Sequence, residues 1–187
     1  MIDPSMVSAL VEQSDFAADG QALLSRDLIL MLLQHSAAPF SRHQFAPGHI
    51  TCTGLVLAPT GDCILLVDHR RLARWLLPGG HVEAEDASIE DAARREVVEE
   101  TGVLLAAGVP PLVGADVHGI PPKRGEPSRS GEPYHLHHDL IFFFHALAAE
   151  FRASAESRAV LWCAPSDFDR YQVPGNVRRA WGRVIRR

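Results

Sequence analysis

The chain has 187 residues, 47% of them apolar, enough for one compact α/β unit with an appended segment. With 18 Lys+Arg against 23 Asp+Glu the formal net charge is −5. That balance argues against a nucleic-acid or membrane partner and leaves any anionic substrate to be held by local basic groups or metal ions. The longest apolar run, Leu28 to Leu33, is far too short to span a bilayer, and the first residues lack a basic start followed by an apolar core. The cysteines Cys52, Cys63 and Cys163 read as reduced, buried packing residues, so a cytoplasmic protein is expected.

Residues 1–48 read as an N-terminal helical extension, dense in leucine through "ALLSRDLILMLLQH" and then irregular through "APFSRHQFAPG". Residues 49–187 form the main domain. "HITCTGLVLA" and "CILLVDH" alternate as a β-hairpin with Thr60, Gly61 and Asp62 at its tip, and "RWLL" is a short strand stopping at Pro78-Gly79-Gly80. Ser88 to Thr101 is a helix with an N-cap serine, Asp91 three residues on, and Gly102 as its C-terminal stop. Strands follow at "VGADVHG", "YHLHHDLIFFFHALA" and "AVLWCA", then a C-terminal helix, "NVRRAWGRVIRR". The fold class is α/β (α+β), a mixed β-sheet sandwiched between helices. The loop at 119–133 carries "GEP" twice, with Lys123, Arg124 and Arg129 available to a charged ligand.

The helix ends on "REVVEETGV". At about 100° per residue, Glu96, Glu99 and Glu100 continue the apolar stripe of Ile89, Ala92, Ala93 and Val97, so all three are expected to face inward. Carboxylates about 6 Å apart repel by roughly 3 kcal/mol per pair at an effective dielectric near 20, and they stand at the unfavourable end of the helix dipole. A divalent cation would offset both costs; Mg²⁺ suits such oxygens, and Mn²⁺ or Ca²⁺ would also serve. The plainer reading is a solvated acidic helix end with an Arg95–Glu99 pair. Just upstream, Gly79 and Gly80 can adopt positive φ and bring backbone carbonyls close to a metal.

Strand, glycine turn, loop and acidic helix in this order resemble the Nudix hydrolase family, whose MutT-like pyrophosphohydrolases carry the signature G-x5-E-x7-R-E-U-x-E-E-x-G-U, with U a bulky apolar residue. Gly80 matches its first glycine, and Arg95, Glu96, Val97, Glu99, Glu100, Gly102 and Val103 match its second half in full. The sequence departs from the pattern once. The Gly80-to-Arg95 interval is one residue too long and holds no glutamate at the first acidic position, leaving Asp86 as the nearest equivalent. The resemblance implies metal ligation by Gly80, Glu96, Glu99 and Glu100, with Mg²⁺ as cofactor and Mn²⁺ an alternative. It implies catalytic roles for Arg95, which orients a glutamate, and for Glu99 and Glu100, with Glu100 the candidate general base. The implied reaction is attack of water on a phosphorus of a nucleoside diphosphate linked to another group. That small molecule is the implied partner, and a homodimer is left open.

On the strand that follows the long loop, His135, His137 and Asp139 share one face. His135 and His137 are candidates for substrate contact, with His118, Lys123 and Arg124, or, with Asp139, for a transition metal, though no spacing links them to a further Cys or His ligand. A non-catalytic nucleotide or sugar-phosphate binding module on the same fold is the alternative function. An isoprenoid diphosphate isomerase would need a catalytic cysteine, and none of the three has a suggestive setting.

Overall fold

The computed structural model describes residues 2–16, 18–123, 131–155 and 157–186. Helices α1 (Pro4–Gln13) and α2 (Gly20–His35) open the chain, each capped by an aspartate: Asp3 accepts from the Ser5 amide and Asp19 from the Ala22 amide. Each cap satisfies an N–H that the first turn leaves without an intrahelical partner. There follow β1 (Gly48–Leu57), β2 (Ile64–His69), β3 (Arg74–Leu76), β4 (Gly79–His81), α3 (Ile89–Thr101), β5 (Leu112–Ile120), β6 (His135–His145), β7 (Ser157–Cys163), a 3-10 turn at Pro165–Asp167 and α4 (Gly175–Val184).

Seven strands form one mixed sheet with the path β3-β2-β1-β6-β5, β4 pairing with β1 and β7 with β2. The central pair, β1 and β6, is parallel from Gly48↔Leu136 to Leu57↔His145, and the other pairs are antiparallel. The expected hairpin forms around Gly61, whose φ is +80°, but β1 and β2 pair only at Leu57↔Ile64 before they diverge.

The glycine pair departs from expectation. Gly79 and Gly80 continue as a strand opposite Thr53 and Cys52, and neither has the positive φ found at Gly61 and Gly102. Glycine is needed there for close approach: a Cβ on Gly79 would lie 2.6 Å from the Thr53 Cα. The cysteines are unpaired; Cys52 and Cys163 are buried as expected, whereas Cys63 is only half-buried. The 125–127 copy of "GEP", with Arg124 and Arg129, lies outside the described residues.

Each face of the sheet carries its own core. On one, Val7, Ile29, Ile50, Cys52, Val97, Leu140 and Phe142 join α1, α2 and α3 to the strands. On the other, Leu55, Ile64, Ile141, Phe168, Val177 and Ala180 pack α4 over the distal half. Each such side chain contributes about 1.5–3 kcal/mol on burial. α3 sits tightly because β1 has glycine beneath it; a Cβ on Gly54 would run into the Val97 side chain. Buried Asp19, beyond capping α2, accepts from Arg179 at 3.0 Å and Arg183 at 2.7 Å and so ties the N-terminal helices to α4. Among the described residues no helix is long and apolar enough to cross a membrane.

Candidate active site

The last two turns of α3 lie under β4. Ser88 caps the helix by accepting the Asp91 amide at 3.1 Å, and Gly102 closes it in the left-handed region at φ 64°. The wheel is right for two of the three glutamates. Glu100 is buried and Glu96 nearly so, but the Glu99 side chain is 59% exposed, a correction to the inward trio. The stripe is narrower than the three-acid set, and Glu99, a turn below Arg95, stands at its solvent rim. Glu100 Oε2 accepts the Gly79 amide at 3.0 Å. Gly80 stands so close to Glu96 that a Cβ there would lie 2.7 Å from its Oε2.

Arg95 holds this arrangement. Its guanidinium donates to both Asp86 oxygens at 2.9 and 3.0 Å, to Glu96 and Glu99 at 3.0 Å each, and to the His81 carbonyl at 2.8 Å. The planar fork suits this bidentate carboxylate pairing. Bonding to Asp86 outweighs burial and, with Glu96, raises the Arg95 pKa, so the side chain stays charged. Burial pushes the Asp86 carboxyl upward, but Arg95 and the Glu83 amide outweigh it and hold the group below its ordinary value. Asp86, six residues on from Gly80, is thus the carboxylate that grips Arg95 with both oxygens.

The opposite face of the strands is polar. Thr51 and Thr53 of β1 donate to the two oxygens of Asp139 at 3.0 Å each, and burial raises the Asp139 pKa. Beside them His49, His81, His135 and His137 pack ring to ring with centroids 4.8 to 5.4 Å apart. Burial, then the charge of Arg42, lowers the His81 pKa to about 4; burial, then the neighbouring imidazoles, lowers that of His137 to about 2. Burial also lowers that of His49. The rings of His49, His81 and His137 are therefore uncharged at neutral pH. His118 differs: burial opposes its protonation, but Asp116, 2.9 Å from Nδ1, and the charge of Asp139 prevail and raise its pKa.

A cavity of about 50 Å³ opens on this face, lined by Arg42, Phe45, Arg71, His81, Glu132, His135 and His137. Of the residues expected to contact substrate, His135 and His137 line it, while His118 lies beside His137 with centroids 5.8 Å apart. Lys123 does not line it; its backbone pairs with Glu132 at the exposed base of the loop. Arg124 lies outside the described residues. Sequence reading missed His49, His81, Arg42 and Arg71. A signal existed for the first, since His49, Thr51 and Thr53 alternate as a polar face along "HITCT".

The two glycines should separate experimentally. Gly79→Ala drives a methyl into β1 backbone and is expected to lower the melting temperature. The nearest atoms to a methyl at Gly80→Ala all belong to the flexible end of Glu96, so it should displace that carboxylate with little change in melting but a clear loss of turnover. Thermal denaturation and initial rates of both variants check the contrast, and equal effects on both readouts would refute it.

Residues 47–180 match the family model described as the NUDIX domain. No curated protein matches the sequence. Among solved structures, a MutT NUDIX hydrolase from Burkholderia pseudomallei is similar at TM-score 0.53 and 23% identity, covering 72% of this chain and 96% of that one. A NUDIX hydrolase from Nitrosomonas europaea follows at 0.52 and 18%, covering 73% and 87%. A NUDIX-family hydrolase from Clostridium perfringens gives 0.51 and 19%, covering 79% and 99%.

Proposed function

The chain belongs to the Nudix family of hydrolases, and we propose that it is a Mg²⁺-dependent pyrophosphohydrolase acting on a nucleoside diphosphate linked to another group. The observation that carries this reading is the convergence of Glu96 and Glu100 on the β4 glycines, with Arg95 locked between Asp86 and the helix carboxylates. The donor types suit a hard divalent cation: the Glu96 carboxylate lies against Gly80, where no Cβ intervenes, Glu100 lies against Gly79, and Glu99 stands at the rim. Such a cation, when bound, supplies neutralisation of phosphate oxygens and acidification of water, and Mn²⁺ would serve as well.

The chain's own residues do the rest. Arg95 keeps Glu96 aimed toward β4. Glu100 is the proposed general base. The Gly79 amide bonds one of its oxygens, which fixes the orientation of the other. Arg42 and Arg71 favour an anionic group in the cavity across the sheet.

A panel of nucleotide sugars, dinucleoside polyphosphates, nucleoside triphosphates and ADP-ribose with Mg²⁺ or Mn²⁺, products identified by mass, tests the reading. Two phosphate-bearing products from at least one diphosphate-linked compound are expected. Tight nucleotide binding without hydrolysis across the panel would instead favour a binding module.

A further inference from the structure

We propose that Nε2 of His49, Nε2 of His135 and a ring nitrogen of His137 form a second metal site, for a transition-metal cation of the zinc class, distinct from the carboxylates of α3. The parallel register His49↔His137 puts the first and third on one face of neighbouring strands, and His135 lies two residues before His137 on that face. One ligand atom from each of the three falls within 4.8 Å of the others. A tetrahedral zinc with bonds of about 2.0–2.1 Å needs about 3.3 Å between nitrogens, a closure that modest side-chain rotation supplies.

Proton placement points the same way. His49 Nδ1 lies 3.1 Å from the Gln44 carbonyl and His135 Nδ1 lies 2.8 Å from that of Pro133. A carbonyl can only accept, so in each ring Nδ1 carries the hydrogen and Nε2 presents a lone pair. A backbone carbonyl fixing the far nitrogen is the usual support of a metal-bound imidazole. His49 is fully buried, and its Nε2 has no hydrogen-bond partner among the described residues, an arrangement folding disfavours unless something binds there.

The third ligand is not the one the strand pattern suggested. Asp139 is taken up by Thr51 and Thr53, and His49 of β1 stands in its place. Three imidazoles leave a fourth position open, as catalytic and ligand-binding zinc sites do. His135 and His137 also line the cavity, where Arg71 is paired with Glu132 at 3.0 Å and Arg42 lines the wall, so an anionic oxygen held there would be within reach of that position. Imidazole donors select against Mg²⁺, so the two sites sort their metals by chemistry.

The test is Zn²⁺ titration of the chelator-stripped full chain by calorimetry, with X-ray absorption of the loaded protein. One equivalent is expected, retained by the Glu96→Gln/Glu100→Gln double variant and weakened at least about 100-fold in His137→Ala and in His49→Asn. The absorption spectrum of wild type, which depends on no variant folding, should show three imidazole nitrogens at about 2.0–2.1 Å. No zinc binding, an oxygen-only shell, or binding lost in the carboxylate variant and kept in His137→Ala would each overturn the proposal. None of these outcomes bears on hydrolysis at α3.

Discussion

Glu100→Gln is expected to lower kcat by roughly 10²- to 10⁴-fold, the range over which a positioned general base acts, while leaving the protein folded. The amide keeps the shape and can still accept from the Gly79 N–H, now 3.0 Å from Oε2, but it no longer takes a proton. Glu96→Gln should lose turnover to a similar degree for a different reason. Arg95 would still bond its side-chain oxygen, but the negative charge that attracts a cation beside Gly80 is gone. Glu99, at the exposed rim, should show its loss chiefly as a higher Mg²⁺ requirement. Initial rates against Mg²⁺ concentration for the three variants check the assignment, and unchanged turnover in both Glu96→Gln and Glu100→Gln would exclude this site.

Asp86→Ala should damage folding and catalysis together. Arg95 loses both of its bonds to Asp86 while its side chain remains only 21% exposed, and the Glu83 amide loses its acceptor. Leaving a charge in that setting costs roughly 2–4 kcal/mol, or about 5–15 °C in melting temperature for a chain of this size. Turnover should fall because a loosened Arg95 no longer fixes Glu96. The pH dependence has a definite sign. The folded-state pKa of Asp86 is depressed, so its contribution is fully present above the unfolded value, about 3.9, and is lost as pH falls through the folded value. The stability gap between wild type and Asp86→Ala should therefore be wide at neutral pH and narrow in acid; a gap independent of pH would refute the pairing.

What the sequence made legible was local. The α3 helix could be read because its signals, Ser88, Asp91 and Gly102, lie within the element they delimit. The mixed sheet followed from the alternation of strand-like and helical stretches. β4 was hidden because three residues have no periodicity, and the need for glycine there comes from Thr53 across the ladder rather than from local turn geometry. The exposure of Glu99 was hidden because a helical wheel gives direction but not where the covering strand stops. The histidine cluster is the least local feature: His49 and His137 meet only through the parallel pairing of β1 with β6. Asp86 stood between these cases. Counting from Gly80 found it, but only the bidentate contact shows that it holds Arg95.

The central claim is that the α3 carboxylates support attack of water on a phosphorus. The most direct measurement is hydrolysis of the best substrate from the panel in ¹⁸O-labelled water, with Mg²⁺, by wild type and Glu100→Gln. One ¹⁸O in a single phosphate-bearing product, formed only with the metal and suppressed in the variant, is the predicted result. Label absent from both phosphates, or incorporated at equal rates by wild type and Glu100→Gln, would contradict it.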